Sequence, residues 1–231
     1  MSVAGQQVRE TGREYALRMI TDRIIALTLA PGSMVSENEL AAQLRLSRTP
    51  VREALIELSR LRIVTVYPKR GSSIALIEYD LVEEARFMRY LLEMDVIRQV
   101  CLTAQPGEAA QLQRNVRFQA VCLENHDPVR LMQLDNAFHK CLFDIARKPM
   151  VYQLMHAAQI HFDRVRMMSL EAVKDTKIVA DHQEMLEAVL KHDAAAAQAV
   201  MDRHLSRYQI DEQALRSRYP EYFDAKNAVN G

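Results

Sequence analysis

The chain has 231 residues, 30 Lys plus Arg against 30 Asp plus Glu, 49% hydrophobic residues, and only 6 Gly and 7 Pro. It is too apolar for a disordered chain and too poor in Gly and Pro for a collagenous or loop-dominated one, while its length suits one large domain or two smaller ones. A net charge of zero, taken whole, argues against a nucleic-acid partner, but it is a sum and can hide a cancellation. Cys101, Cys122 and Cys141 are odd in number with no CxxC spacing, which suits buried thiols rather than a disulfide framework. No apolar run approaches the length of a membrane span, so the expectation is a soluble, cytoplasmic protein with no membrane partner.

In chain order, Met19, Ile20, Ile24 and Leu27 recur at helical spacing and predict an amphipathic helix ending before Leu29-Ala30-Pro31-Gly32. Ser36-Glu37-Asn38-Glu39 then reads as a capping box opening a short helix through Leu44. Ser47 is a second cap, Pro50 fits a first helical turn, and Val51, Leu55, Leu58 and Leu61 supply a buried stripe. Two helices joined this closely make a helix-turn-helix. Val64 to Tyr67 and Ser72 to Ile77, separated by Pro68-Lys69-Arg70-Gly71, predict a small hairpin appended to it, a wing. From Asp80 onward the chain reads as about six helices, punctuated by Pro106-Gly107, Asp127-Pro128, Lys148-Pro149, the polar stretch from Glu171 to Thr176, and His192-Asp193. Residues from Arg216 to the end are polar and read as partly loose. The fold class is mainly α: an N-terminal winged helix-turn-helix over residues 1–78, followed by an all-helical antiparallel bundle over 79–231.

Split at residue 79, the charge is uneven: the first part carries 11 Lys or Arg and 8 Asp or Glu, net +3, and the remainder 19 and 22, net −3. The zero is therefore a cancellation between unlike halves. Arg48, Thr49 and Arg52 fall in the first turn or so of the second helix, the end that a recognition helix presents to bases and phosphates. Lys69-Arg70-Gly71 puts a second basic point at the wing tip, with Gly71 permitting close backbone approach to a groove.

Leu29-Ala30-Pro31-Gly32, Ser36-Glu37-Asn38-Glu39-Leu40-Ala41, Ser47-Arg48-Thr49-Pro50-Val51-Arg52-Glu53-Ala54-Leu55 and Pro68-Lys69-Arg70-Gly71 together resemble the N-terminal domain of the GntR family of bacterial transcription regulators. The resemblance implies operator contacts from Arg48, Thr49, Arg52, Arg70 and Gly71, with Ser36 and Asn38 on phosphates. Arg45-Leu46 stands where members usually have Gly and a small aliphatic residue, and Arg62-Ile63 where Gly-Leu is common.

Asp135 and His139 lie four residues apart on one helical face. His182 precedes the His192-Asp193 turn by 10 residues and His204 follows Asp193 by 11, so an antiparallel hairpin sets both about 15–17 Å from the turn and level with each other. Asp135, His139, His182 and His204 can then meet at one point, a donor set suited to a divalent transition metal, Zn²⁺ foremost and Ni²⁺ or Mn²⁺ next. The C-terminal half resembles the FCD ligand-binding domain of the FadR branch, whose metal-containing members use an Asp-x3-His pair and two later histidines. By the same resemblance Arg89 matches a cavity-lining arginine. Arg164 and Arg166 lie on another candidate lining helix, so the implied effector is a small carboxylate or sugar acid.

The expectation is a metabolite-responsive, DNA-binding transcription regulator, a homodimeric repressor by family habit, with an operator-reading first domain and an effector-binding, dimerising second one. A metal-dependent enzyme fused to a DNA-binding module is the alternative, because Asp with three His also resembles a hydrolytic or redox centre. No carboxylate, Ser or Cys near the four ligands announces itself as a base or nucleophile, so no catalytic residue is assigned.

Overall fold

A computed structural model describes residues 10–172, 177–206 and 212–224, and the chain divides into two compact units, Met1–Leu76 and Ile77–Gly231. The predicted polar stretch before Lys177 and the end of the chain lie partly outside the described residues.

The first unit opens with α1 (Gly12–Ile25), started by a capping box in which Thr11 accepts from the Glu14 N–H while the Glu14 carboxylate accepts from the Thr11 N–H. There follow β1 (Met34–Val35), α2 (Glu37–Leu44), α3 (Arg48–Arg60), β2 (Val64–Tyr67) and β3 (Gly71–Ile74). The strands form an antiparallel sheet in the order β1-β3-β2, with Val35 opposite Ser72 and Val64 opposite Ile74. β1 escapes the sequence reading because two residues are too few to display a period. Ile20 and Ile24 of α1, Leu40 of α2, Val51, Leu55 and Leu58 of α3, and Ile63 and Ile74 of the wing are buried together and fix the unit. Ser36 and Ser47 take the N-cap positions, yet neither side chain closes a capping bond, so the expected Ser36–Glu39 box does not form. The first turn of α2 is solvent-accessible, and water can serve its N–H groups instead.

The second unit consists of α4 (Tyr79–Thr103), α5 (Pro106–Glu124), α6 (Pro128–Ile145), α7 (Pro149–Ala172), α8 (Lys177–Leu190), α9 (Ala194–Ser206), α10 (Glu212–Arg218) and a 3-10 turn at Pro220–Tyr222. Pro106, Pro128 and Pro149 each stand first in a helix, where no backbone N–H is needed. Asp127 and Asp193 cap α6 and α9 by accepting from the Arg130 and Ala196 N–H groups. Ile77 belongs to this unit because its N–H donates to the Tyr222 carbonyl and its carbonyl accepts from Asp224. α4 packs on α7 and α9, α5 on α6 and α8, and α8 on α9. Val96, Ile97, Val100, Leu112, Phe138, Leu142, Phe143, Met185, Leu186 and Met201 form the core, each large side chain worth roughly 1.5–3 kcal/mol of burial.

The glycine-poor composition leaves a mark. Among the described residues seven non-glycine positions have positive φ, Leu27, Arg45, Arg62, Lys69, His126, Arg147 and His192, and six of the seven follow helix ends. Arg45 and Arg62, the two departures from the GntR pattern, thus keep the left-handed turn that a glycine would take without steric cost, at φ 55° and 59°. Arg45→Gly is expected to raise the stability of the first unit by about 0.5–1 kcal/mol, a shift of a few degrees, and Arg45→Val to lower it. Thermal unfolding followed by circular dichroism checks the order.

Candidate functional site

In the first unit, the start of α2, the start of α3 and the wing enclose a groove lined by Ser36, Glu37, Asn38, Arg48, Arg52, Lys69, Arg70 and Gly71, among others. It thus gathers every sequence-predicted DNA-contact residue except Thr49, which is exposed one position beyond Arg48. The Arg48 and Arg52 side chains are two-thirds exposed and one helical turn apart, on the same face. Gly71 has φ 96°, and a Cβ there would come within 3.2 Å of the Val35 carbonyl oxygen. Glycine at this point lets the wing tip turn tightly against β1.

In the second unit a polar cluster interrupts the apolar core. Asp135 and His139 of α6, His182 of α8 and His204 of α9 are all buried, and each offers one ligand atom lying within 4.8 Å of the others. His139 Nε2 is 3.3 Å from His204 Nε2 and 3.9 Å from Asp135 Oδ2, and His182 Nε2 is 3.6 Å from Asp135 Oδ1. The α8–α9 hairpin does set its two histidines side by side, with ring centroids 4.7 Å apart. Phe138 stacks on His182 and closes the apolar side.

The opposite ring nitrogens face a second layer. His139 Nδ1 lies 2.6 Å from Glu93 Oε2 on α4, His182 Nδ1 is 2.7 Å from Gln119 Oε1 on α5, and His204 Nδ1 is 3.5 Å from Asp181 Oδ2 on α8. The Gln119 oxygen accepts from His182 Nδ1, and the carboxylates near the Nδ1 atoms of His139 and His204, although not in hydrogen-bond geometry, favour a proton on the same side, the tautomer that leaves each Nε2 as a lone pair. Two such lone pairs 3.3 Å apart repel, and the Asp135 Oδ1 and His182 Nε2 atoms have no hydrogen-bond partner among the described residues. A shared cation resolves both problems: two nitrogens bound at about 2.0–2.1 Å to one ion stand about 3–3.4 Å apart. The residues therefore fit a metal.

The electrostatics agree. Burial pushes the His139 imidazole down to about 4 despite the attraction of Glu93, and burial with the neighbouring His204 drives His182 well below its usual range. Burial would raise the Glu93 carboxyl, but the Arg89 guanidinium and His139 bring it down to about 2. Against the same burial, Arg166 and His139 hold Asp135 well below the usual carboxylate range. At neutral pH these two imidazoles are neutral and these two carboxylates ionised, the protonation that metal ligation requires.

The three arginines predicted to meet an effector are fully buried but serve different neighbours. Arg166 pairs with Asp135, with Asp163 at 2.8 Å and with Asn136 at 3.0 Å. Arg164, two residues and about 200° around α7 from it, places Nη2 3.2 Å from His161 Nδ1 and feels the charge of Glu78. Burial lowers its pKa to about 10. Arg89 donates to Glu93 Oε1 at 2.8 Å while its Nη2 has no hydrogen-bond partner among the described residues. Arg89 also lines a cavity of about 300 Å³ between α4, α7 and α9, with Phe162, Tyr90, Asp202 and Leu205. Glu93, Gln119 and Asp181 were missed from sequence. Glu93 stands one turn from Arg89 and Asp181 adjoins His182, faint signals at best, and nothing marks Gln119.

Glu93→Ala would leave the buried Arg89 guanidinium without its carboxylate, and an expected loss of about 3–5 kcal/mol follows. Urea unfolding in the presence of a chelator measures it free of any metal contribution.

Residues 13–74 match the family described as bacterial regulatory proteins, gntR family, and residues 84–207 match the FCD domain. An uncharacterised HTH-type transcriptional regulator in an unstable DNA locus of Streptomyces ambofaciens is 34% identical over 214 residues, covering 92% of this chain and 90% of its own. The HTH-type transcriptional repressor RspR of Escherichia coli K12 is 28% identical over 207 residues, covering 89% of this chain and 91% of its own. The fold is similar to that of E. coli McbR/YncC, with a TM-score of 0.79 at 18% identity over 90% of this chain and 99% of that one. Among the described residues no helix is long and apolar enough to cross a membrane. The two domain matches together span most of the chain, and the relatives match over nearly its full length: the chain belongs to the GntR family of bacterial transcription regulators, in the branch with an FCD domain, and is a DNA-binding transcription regulator rather than an enzyme.

Proposed function

We propose that the protein is a homodimeric, metabolite-responsive repressor in which residues 1–78 read the operator and residues 79–231 dimerise and sense a small carboxylate or sugar acid through a bound metal. The observation that carries the reading is the convergence of three imidazole Nε2 atoms and the Asp135 carboxylate inside the FCD domain. Asp135, His139, His182 and His204 would hold the ion, with Zn²⁺ first among candidates because mixed imidazole and carboxylate donors suit a borderline cation. When bound, the ion would supply a positive, Lewis-acidic centre that attracts a carboxylate.

This chain's own residues do the rest. Glu93, Gln119 and Asp181 orient the imidazoles, and Arg203 steadies Asp181 with two hydrogen bonds of 3.1 and 2.8 Å. Arg89 joins the 300 Å³ cavity to this centre through Glu93 and His139, so an anion paired with its guanidinium would alter the same network that shapes the ligands. Regulation requires that the effector bind one arrangement of the dimer better than another. The repressor sign draws support from the relative named RspR. Two-fold symmetry then calls for a pseudo-palindromic operator read by two copies of α3.

Two measurements test the reading. Duplexes selected by the protein from a random-sequence pool should bind Arg52→Ala about 10–100 times more weakly, with helix content unchanged, a loss of about 1–3 kcal/mol for one base-reading arginine. Undiminished affinity in a gel-shift titration removes Arg52 from the interface. For the metal, elemental analysis of the purified protein should find close to one transition-metal ion per chain, and the double variant His139→Ala/His182→Ala should have lost it. A metal-free wild type, or a double variant that keeps its ion, rejects the site.

A further inference from the structure

Glu37 sits where a DNA-binding surface should least tolerate a carboxylate. It is the first residue of α2, it lines the groove formed with α3 and the wing, and it is only one-quarter exposed. Its Oε2 lies 3.3 Å from Arg48 Nη2 and its Oε1 lies 4.0 Å from Arg52 Nε, so one carboxylate spans two arginines in the first turns of the recognition helix. Any phosphate entering the groove meets this negative charge, which weakens binding to DNA of every sequence. The ion pairs themselves are too exposed to contribute much to stability. Glu39, in the same first turn, already places a negative charge at the α2 N-terminus.

We propose that Glu37 is a specificity-determining residue: it holds Arg48 and Arg52 in an orientation that suits guanine and penalises their use as general phosphate clamps. At Arg52 the Nε edge faces Glu37, which leaves the Nη1–Nη2 fork for the paired N7 and O6 acceptors of a guanine in the major groove. A long arginine without such a partner samples many rotamers, and a phosphate, unlike a base edge, accepts nearly all of them. The carboxylate therefore lowers affinity for random DNA more than for the operator, and the ratio between the two rises. This rests on the operator-reading role of α3 proposed above.

The test uses the full-length protein and three duplexes: one selected by the wild type from a random pool, the same duplex with its most strongly selected guanine replaced, and an unrelated sequence. Each is titrated between about 50 and 300 mM salt. Glu37→Gln is expected to bind the unrelated duplex roughly tenfold more tightly at the low-salt end, to change operator affinity by less than about threefold, and to steepen the salt dependence by about one counterion. Glu37→Asp, which keeps the charge but shortens the reach, is expected to lose discrimination at the replaced guanine without the change in salt slope. Equal gains on all three duplexes would mean that Glu37 acts through charge alone and would overturn the proposal, as would unchanged discrimination in both variants. A merely structural role would lower the melting temperature and leave the affinity ratio of the folded protein unmoved, which is also a refutation. Should the wild type select no sequence at all, it is the operator-reading role that fails, a result distinct from any of these.

Discussion

Removing charged and polar groups from water is the constraint around which the helical unit is organised. Asp135, His139, His182 and His204 sit inside a core of Phe, Leu, Val and Met, and none has bulk solvent to satisfy it. Each imidazole is therefore backed by an acceptor from another position in the bundle: Glu93 from α4, Gln119 from α5 and Asp181 from α8. Those acceptors are buried too and need their own partners, which brings in Arg89 and Arg203. A network so extended stabilises the fold only when complete, and a partly satisfied one is worse than an apolar core. An ion held at this point would let the facing Nε2 atoms coexist.

The winged-helix unit solves the opposite problem. Its charges are at the surface, where water and salt screen them, and so they contribute little to stability and are available for contact with phosphate. What needs control there is direction. Burial cannot restrain Arg48 and Arg52, both largely exposed, and the restraint available is the carboxylate of Glu37 at the start of the neighbouring helix. The same unit accommodates strain at Arg45 and Arg62, which keep left-handed turns without glycine. The chain carries few glycines, and most of its tight turns are closed by residues that take a positive φ at some cost.

Much of the architecture was legible because its causes are local. Helical spacing of Val51, Leu55 and Leu58 and the punctuation at Pro106-Gly107, Asp127-Pro128, Lys148-Pro149 and His192-Asp193 act over a few residues, and the helix boundaries fall at those points. The level placement of His182 and His204 followed from counting residues away from a tight turn, which is also local arithmetic. The exceptions are instructive. The Ser36 capping box had the right letters but an exposed helix start with no need of it, and β1 is too short to show a period. Arg164 and Arg166, treated alike from sequence, part company because two residues of helix turn one of them toward Asp135 and the other toward His161 and Glu78.

By itself, then, the amino-acid sequence determined the helix-turn-helix, the wing hairpin and the helical character of the second unit, the two-part organisation of the charge, the arginines at the start of α3 and the four candidate ligands. The tertiary structure decided which acceptor stands behind each imidazole, that Glu37 bridges two arginines, and that Arg89 links a cavity to the polar centre. The reason is range. Backbone preferences, caps and periodicities are settled between residues a few positions apart, whereas the partner of a buried side chain depends on the rotation and register of a whole helix against its neighbours, which only the packed core establishes.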